Sequence, residues 1–414
     1  MEFPIIQKNW KKGMHKVGIV YPNLYYGGVY CLGPLILYNI INKLDNFICD
    51  RVFLDKGDVS KYDLVGFSLQ YAPDYYNFLK MRKDCKGIVF AGGPCVNMNH
   101  KTLSKYVDFF VLGEAEVVME EILGKFEGNK EKFLEEIKDI KGVFVPGKTK
   151  KESFAVVEDI NDINYPLYQP FPEKIDKSFV FDKVFMLEIE RGCNFQCKFC
   201  AMPQLYGKTK YRSLENIKKI IDDGLKLNKR NKVMIYSASF SHPQRKEILK
   251  YLIEKKVRFS VPSLRVELVD EELLQLIKKG GQKTLTIAPE ADEKARVKLG
   301  KNVKDEKYFE FIELANKLNF ETLKVYFMVG VDENLDEMIK LIEKIKEKFK
   351  KRTYISVNPF IPKPRTKLEE KVFDKKDIKQ RIKYLKKNLS KIKVKFSGVS
   401  QAESDWRLGL VNQI

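Results

Sequence analysis

The sequence lacks any run of about 18 apolar residues, so it offers no membrane span. Its first twenty residues do not show an apolar stretch followed by small residues, the pattern of a secretory signal. A cytoplasmic protein is the expectation. There is no internal repeat of solenoid period. Histidine is scarce, with three residues in 414, at positions 15, 100 and 242. The seven cysteines are odd in number and do not pair into a secreted disulfide framework.

What is present is a globular composition, 44% hydrophobic and 12% aromatic, long enough for two or three cores. Charge is one-sided: 76 Lys and Arg against 56 Asp and Glu give +20. Such a field suits nucleic acid or another anionic partner. It equally suits a Lys- and Glu-rich surface of the heat-adapted kind. The lysines are spread along helices rather than gathered in one arm, which favours the second reading.

Residues 16–125 alternate short β-branched runs with amphipathic stretches, the pattern of parallel βαβ units and a doubly wound sheet. Ligands of such sheets lie at the carboxyl ends of the strands. Residues 126–182 read as a linker: a charged helix, a small hairpin over 143–154, then a proline-bearing stretch with little periodicity. From Lys183 the alternation restarts with six strand–helix steps, fewer than the eight of a closed barrel. Ser213 is placed to cap the helix that follows the first of these strands. A basic helix, a short strand and a second helix start end the chain. The expected organisation is therefore α/β throughout: a Rossmann-like domain (1–125), a linker (126–182), a partial (β/α)6 barrel (183–370) and a small C-terminal α/β extension (371–414).

Cys193, Cys197 and Cys200 form a C-x3-C-x2-C group directly after the strand over 183–190. Cubane iron–sulfur clusters are held by thiolates, usually four. Three on one loop bind three irons and leave one open for chemistry. A zinc site completed by Cys95 or His242 is the alternative, although zinc sites prefer C-x2-C pairs.

This spacing, the strand before it and Phe199 before the last cysteine resemble the radical S-adenosylmethionine (SAM) superfamily. The resemblance continues through residues 262–267, 280–291 and 358–366. It implies a [4Fe–4S] cluster on Cys193, Cys197 and Cys200, with the open iron chelating the amino and carboxylate groups of SAM. It also implies reductive cleavage of SAM to methionine and a 5′-deoxyadenosyl radical, with electrons from a donor such as a ferredoxin or flavodoxin. Arg265 and Glu290 would lie near the SAM ribose and methionyl group. The Gly-Gly-Glu often found after the second barrel strand is replaced here by Tyr236-Ser237-Ala238-Ser239, so Ser237 and Ser239 would take its place.

The N-terminal region resembles the cobalamin-binding domain of cobalamin-dependent members of that superfamily. Gly92 and Gly93 end a strand and would admit a large ligand, and Gly113-Glu114-Ala115-Glu116 follows the next. Ser68 and Gln70 would meet corrin side chains. The Asp-x-His-x-x-Gly motif that supplies a histidine to cobalt elsewhere is absent, as is usual in this branch. Cys31, Cys49, Cys85 and Cys95 do not match the three N-terminal cluster cysteines of methylthiotransferases and read as small buried apolar residues. The implied activity is cobalamin-dependent methylation of an unactivated carbon in a protein side chain, a tRNA or a small molecule. The alternatives are non-methylating radical chemistry with an empty Rossmann-like domain, and a nucleic-acid-binding iron–sulfur protein.

Overall fold

The computed structural model describes residues 2–175, 179 and 181–410. Residues 176–178 and 180 of the expected linker and the last four of the C-terminal extension lie outside the described residues. The chain divides into two compact units, residues 2–186 with 219–230 and residues 187–218 with 231–410.

The first unit is built on six strands: β1 His15–Tyr21, β2 Phe47–Phe53, β3 Leu64–Ser68, β4 Ile88–Gly92, β5 Phe109–Val111 and β6 Val143–Phe144. Their order is β2-β1-β3-β4-β5-β6, parallel except for β6. This is the flavodoxin-like winding, which reverses direction between β1 and β3 and opens a ligand crevice there. The strands are apolar on both faces because helices cover both. Val17, Ile19, Leu64, Phe90 and Phe109 share one core with Ile122 and Phe133.

Residues 126–155, distinctive in sequence for their charge, pack into this same core. The helix Lys130–Ile137 is capped by Asn129, whose side-chain Oδ1 accepts from Lys132 N at 3.0 Å, and it buries Phe133, Leu134 and Ile137. The hairpin expected over 143–154 does not form. Instead β6 joins the sheet edge antiparallel to β5, and Ala155 bridges Gly113 in parallel. Two glycines cause this. Gly113 and Gly142 have positive φ and no side chain, and the slot they leave is filled by the Ala155 backbone. Further on, Gln169 is buried and exchanges hydrogen bonds with both backbone groups of Met186, at 2.8 and 2.9 Å. Asn228 holds the same stretch through Leu167 O at 2.7 Å, which ties residues 219–230 to the first unit.

The second unit contains the remaining wall. Strands β7 Phe185–Glu188, β8 Lys232–Tyr236 and β9 Arg258–Ser260 lie in the order β9-β8-β7. Strands β10 Thr284–Glu290, β11 Thr322–Val329, β12 Arg352–Pro359 and β13 Val394–Phe396 follow in a second, parallel sheet. The bond from Leu264 N to Thr286 O at 2.8 Å, with Gln282 bonded to both Val261 N and Thr284 O, carries the wall from one sheet to the other. The six expected strands are all present. The seventh, β13, comes from the C-terminal segment, whose strand extends the barrel sheet. Ser213 Oγ accepts from Asn216 N at 3.1 Å, the expected cap on the helix Leu214–Asn228. Among the described residues no helix is long and apolar enough to cross a membrane.

Candidate active site

The chain leaves β7 through Ile189, whose N–H reaches Tyr236 O at 3.3 Å, and makes a two-residue antiparallel ladder, Glu190–Arg191 with Lys210–Tyr211. The loop closed by this ladder carries all three cysteines of the motif. Gly192 takes φ +89° because a Cβ there would stand 2.6 Å from Lys208 O. Cys193 N donates to Gly207 O at 3.2 Å, and Lys198 N donates to Leu299 O at 2.8 Å. Gly300 presses against Gln196 O, again with positive φ. The loop is thus seated by the segment 299–300.

Cys193 and Cys197 are 8% and 9% exposed, and Cys200 is half-buried. All three are free thiols. Burial raises the pKa of Cys200; the Met202 N–H opposes this, and Cys197 and Cys193 raise it further. Among the described residues, no three His, Cys, Asp or Glu side chains form a ready-made metal cage. The fit to a cubane rests on donor chemistry: three thiols on one short loop, close enough to feel one another's charge. His242 is not available as a fourth ligand. Its Nε2 pairs with Arg212 O at 2.8 Å, and its Nδ1 accepts from Gln244 N at 3.0 Å. Burial lowers its pKa, and the Arg212 carbonyl and Glu190 only partly offset that, so the ring is neutral. Cys95 is buried in the first unit.

Glu190 was not singled out by sequence, yet it organises the barrel mouth. Only 2% exposed, its Oε1 accepts from Ser237 Oγ, from Ser239 Oγ at 3.3 Å and from Ser241 N at 3.1 Å. Its Oε2 accepts from Ser241 N and Ser241 Oγ at 3.1 and 3.3 Å. Ser237 and Ser239 therefore face a carboxylate of their own chain. Among the described residues, no Lys, Arg or His forms an ion pair with Glu190. A buried carboxylate held by neutral donors alone is costly without a cation. The Ser-x-Ser-x-Ser alternation from Ser237 to Ser241 is the signal that would have revealed it.

Arg265 stands over the Phe195 ring, its guanidinium carbon 3.5 Å from the centroid. Its Nε donates to Glu267 Oε1 at 2.7 Å, and its Nη1 donates to Cys197 Sγ at 3.7 Å. Burial lowers its pKa, but Glu267 and the Cys197 sulfur outweigh that and raise it. Glu290 ends β10 with φ +71°, beside a register shift in the ladder. Lys301 Nζ donates to Glu290 Oε1 at 2.9 Å, and the buried Arg296 donates to Pro289 O at 3.0 Å and Ala291 O at 3.3 Å. Strain of this kind persists only where neighbours over-determine it. Phe199 packs on a small apolar cluster of Ala291, Leu299, Val331 and Phe360.

In the first unit, Ser68, Gln70, Gly92 and Gly93 gather at the carboxyl ends of β3 and β4. Gln70 Nε2 donates to Ser68 Oγ at 2.7 Å. The close neighbour of Gly93 is the chain itself: a Cβ there would lie 2.8 Å from Leu69 O. Glu114 is buried and accepts from Val157 N at 2.8 Å, holding the segment that passes Gly113.

Residues 187–345 match the radical SAM superfamily, and residues 55–146 match the family of N-terminal regions of radical SAM proteins. The Methanocaldococcus jannaschii protein MJ0966, described as uncharacterized, is 35% identical over 92% of this chain and 84% of its own length. An uncharacterized methyltransferase of Pyrococcus horikoshii is 24% identical over 80% of this chain and 74% of its own length. Among solved structures, the radical SAM methyltransferase TsrM from Kitasatospora setae, with cobalamin and a [4Fe–4S] cluster bound, superposes with a TM-score of 0.61. It shares 13% identity, over 83% of this chain and 72% of its own, so this likeness shows the fold. The chain belongs to the radical SAM superfamily. Membership makes it an enzyme, with a [4Fe–4S] cluster and SAM as its cofactors.

Proposed function

We propose that this chain is a cobalamin-dependent C-methyltransferase acting on an unactivated carbon. The observation that carries the chemistry is the seated loop of Cys193, Cys197 and Cys200, with no fourth His, Cys, Asp or Glu among the described residues placed to complete the set. The loop supplies three sulfurs, Phe199 brings an apolar wall, and Glu190 offers an unpaired negative charge to the SAM ammonium. In this reading Ser237, Ser239 and Ser241 orient Glu190 rather than touch SAM themselves, and Glu290 is turned into the mouth by Lys301 and Arg296. When bound, the cluster supplies one electron for cleavage of SAM, and the corrinoid supplies a methyl carrier. The electron comes from a low-potential donor such as a ferredoxin or flavodoxin, in a reducing compartment such as the cytoplasm.

The first unit suits a corrinoid through its winding and through the Leu24, Tyr26 and Tyr71 side chains exposed beyond the ends of β1 and β3. It has no histidine to offer cobalt there. His15 opens β1 at the opposite end of the sheet, and His100 is buried against Phe110 and Phe144. The likeness to TsrM, whose structure holds cobalamin, supports the assignment. The substrate is a protein side chain, a tRNA nucleoside or a small molecule.

A second reading, non-methylating radical chemistry, is favoured by one observation. Gly93, expected to admit a large ligand, is closed by the backbone of Leu69. Anaerobic reconstitution with iron, sulfide and cobalamin separates the two. Corrinoid absorption retained beside the cluster, with 5′-deoxyadenosine and S-adenosylhomocysteine formed together, is expected. Deoxyadenosine alone, with no corrinoid retained, selects the second reading.

A further inference from the structure

The Arg265 guanidinium is fixed from three sides. The Phe195 face lies 3.5 Å from its carbon, the Glu267 carboxylate takes its Nε at 2.7 Å, and its Nη1 points at Cys197 Sγ, 3.7 Å away. Its side chain is 13% exposed. It follows β9 at the start of a single helical turn, Val266–Leu268, and the wall bond from Leu264 N to Thr286 O precedes it. The group is therefore not a loose surface cation swinging toward an anionic ligand. It is already spent on a carboxylate and a sulfur.

We infer that Arg265 is a positioning residue for the cluster: its N–H bond and fixed charge on the Cys197 sulfur raise the cluster's reduction potential. This rests on the reading that the three cysteines hold a [4Fe–4S] cluster. One-electron reduction adds a negative charge to the cluster, and a donor or cation at a ligand sulfur stabilises that state more than the oxidised one. The electron itself comes from the external low-potential donor. Glu267 works in the opposite direction. Its carboxylate neutralises part of the guanidinium charge and keeps the potential from rising further. The Phe195 ring holds the guanidinium plane and excludes water from one of its faces. The pair is thus a small dipole with its positive end on the sulfur.

The test is an EPR-monitored redox titration of the full reconstituted chain, before SAM is added. At the wild-type midpoint, Arg265→Gln is expected to lower the reduced-to-oxidised ratio at least about threefold, which is about 30 mV at 59 mV per decade. Arg265→Lys, which keeps the charge but loses the fork, should fall between the two. Glu267→Gln should shift the midpoint the other way, toward easier reduction. Coincident midpoints for wild type and Arg265→Gln overturn the inference, and all the more so if that variant loses only SAM binding, the behaviour of a simple carboxylate clamp. Should Arg265→Gln fail to load a cluster, Glu267→Gln decides alone: an unchanged or lowered midpoint overturns the inference. A wild-type chain that takes up no cubane brings down the cluster reading itself, a failure recognisable by its absent visible and EPR signals.

Discussion

The two strand-end regions of this molecule handle their polar groups in opposite ways. At the carboxyl ends of β3, β4 and β5 the chain answers itself: Gln70 bonds Ser68, Leu69 closes over Gly93, Glu114 takes Val157 N, and Asn97 exchanges both of its amide bonds with Gly113. At the barrel mouth the chain leaves a charge unanswered: beside the loop of three thiols, a buried carboxylate is surrounded by serines with no cation paired to it among the described residues. A region that satisfies itself is built to hold a shape. A region that buries a charge without its counter-ion is built to receive one.

The largest effect that would sharpen this contrast comes from the thiols. Cys197→Ala is expected to abolish the cluster's visible absorbance and all SAM cleavage, with far-UV circular dichroism unchanged. Retention of a cluster in that variant would break the comparison. Next is Glu190→Gln, which keeps the shape and removes the charge. Hydrogen bonds to charged groups are worth about 1.5–3 kcal/mol, so SAM binding should weaken about 10- to 100-fold, read from the SAM-induced change in the cluster's EPR signal. The cluster should still assemble. Unchanged SAM affinity would make Glu190 a structural group, no different in kind from Glu114.

Much of this was legible beforehand. The cysteine spacing singled out the loop after β7, and strand periodicity pointed to the sheets of both units. The loop's surroundings were not legible, because they come from distant segments: Glu190 meets serines some fifty residues on, and Arg265 meets a cysteine 68 residues before it. Ser237 and Ser239 were expected to take the place of the Gly-Gly-Glu near SAM, and the structure shows them bonded to Glu190; a single sequence does not tell a hydroxyl that faces a ligand from one that faces its own carboxylate. The hairpin over 143–154 failed for a related reason. The expectation was local pairing, and the winning contact, Ala155 on Gly113, was not local. Gly93 shows the same limit: a glycine needed for close approach does not say who approaches.

Glycine substitutions test that last point in both regions. Gly113→Ala would place a Cβ into the Ala155 carbonyl at φ +94°, and should cost the first unit about 2–4 kcal/mol, visible as a lower urea midpoint. Gly300→Ala, at φ +78° and 2.9 Å from Gln196 O, should cost less, about 1–2 kcal/mol. Its specific consequence is different: iron bound per chain should fall, because the segment that seats the cluster loop is displaced. A Gly300→Ala protein with full iron content would show that the loop needs no such seat.

The smallest predicted effect belongs to Asp74, at the start of the helix Asp74–Arg82. Burial raises its pKa above 3.8, and the bonds it accepts from Asn23 Nδ2, Gln70 N and Tyr71 N only partly counter this. The folded state then binds its proton more tightly than the unfolded chain does. Between the unfolded value and the raised folded one the native state carries more protons, so this group's contribution to stability grows as pH falls through that window and declines as pH rises out of it. The lowered pKa of Glu2, which burial opposes but Arg51, Tyr25 and Lys56 together overcome, works in the reverse sense and loses stability on acidification. In the first unit the two partly cancel. Replacing Asp74 by Asn removes one side of that balance, so the urea midpoint should fall more steeply on acidification through the carboxylate range than in the wild type. Parallel pH profiles for the two proteins would mean that the three donors hold Asp74 ionised throughout, and that even this buried carboxylate is fully answered by its own chain.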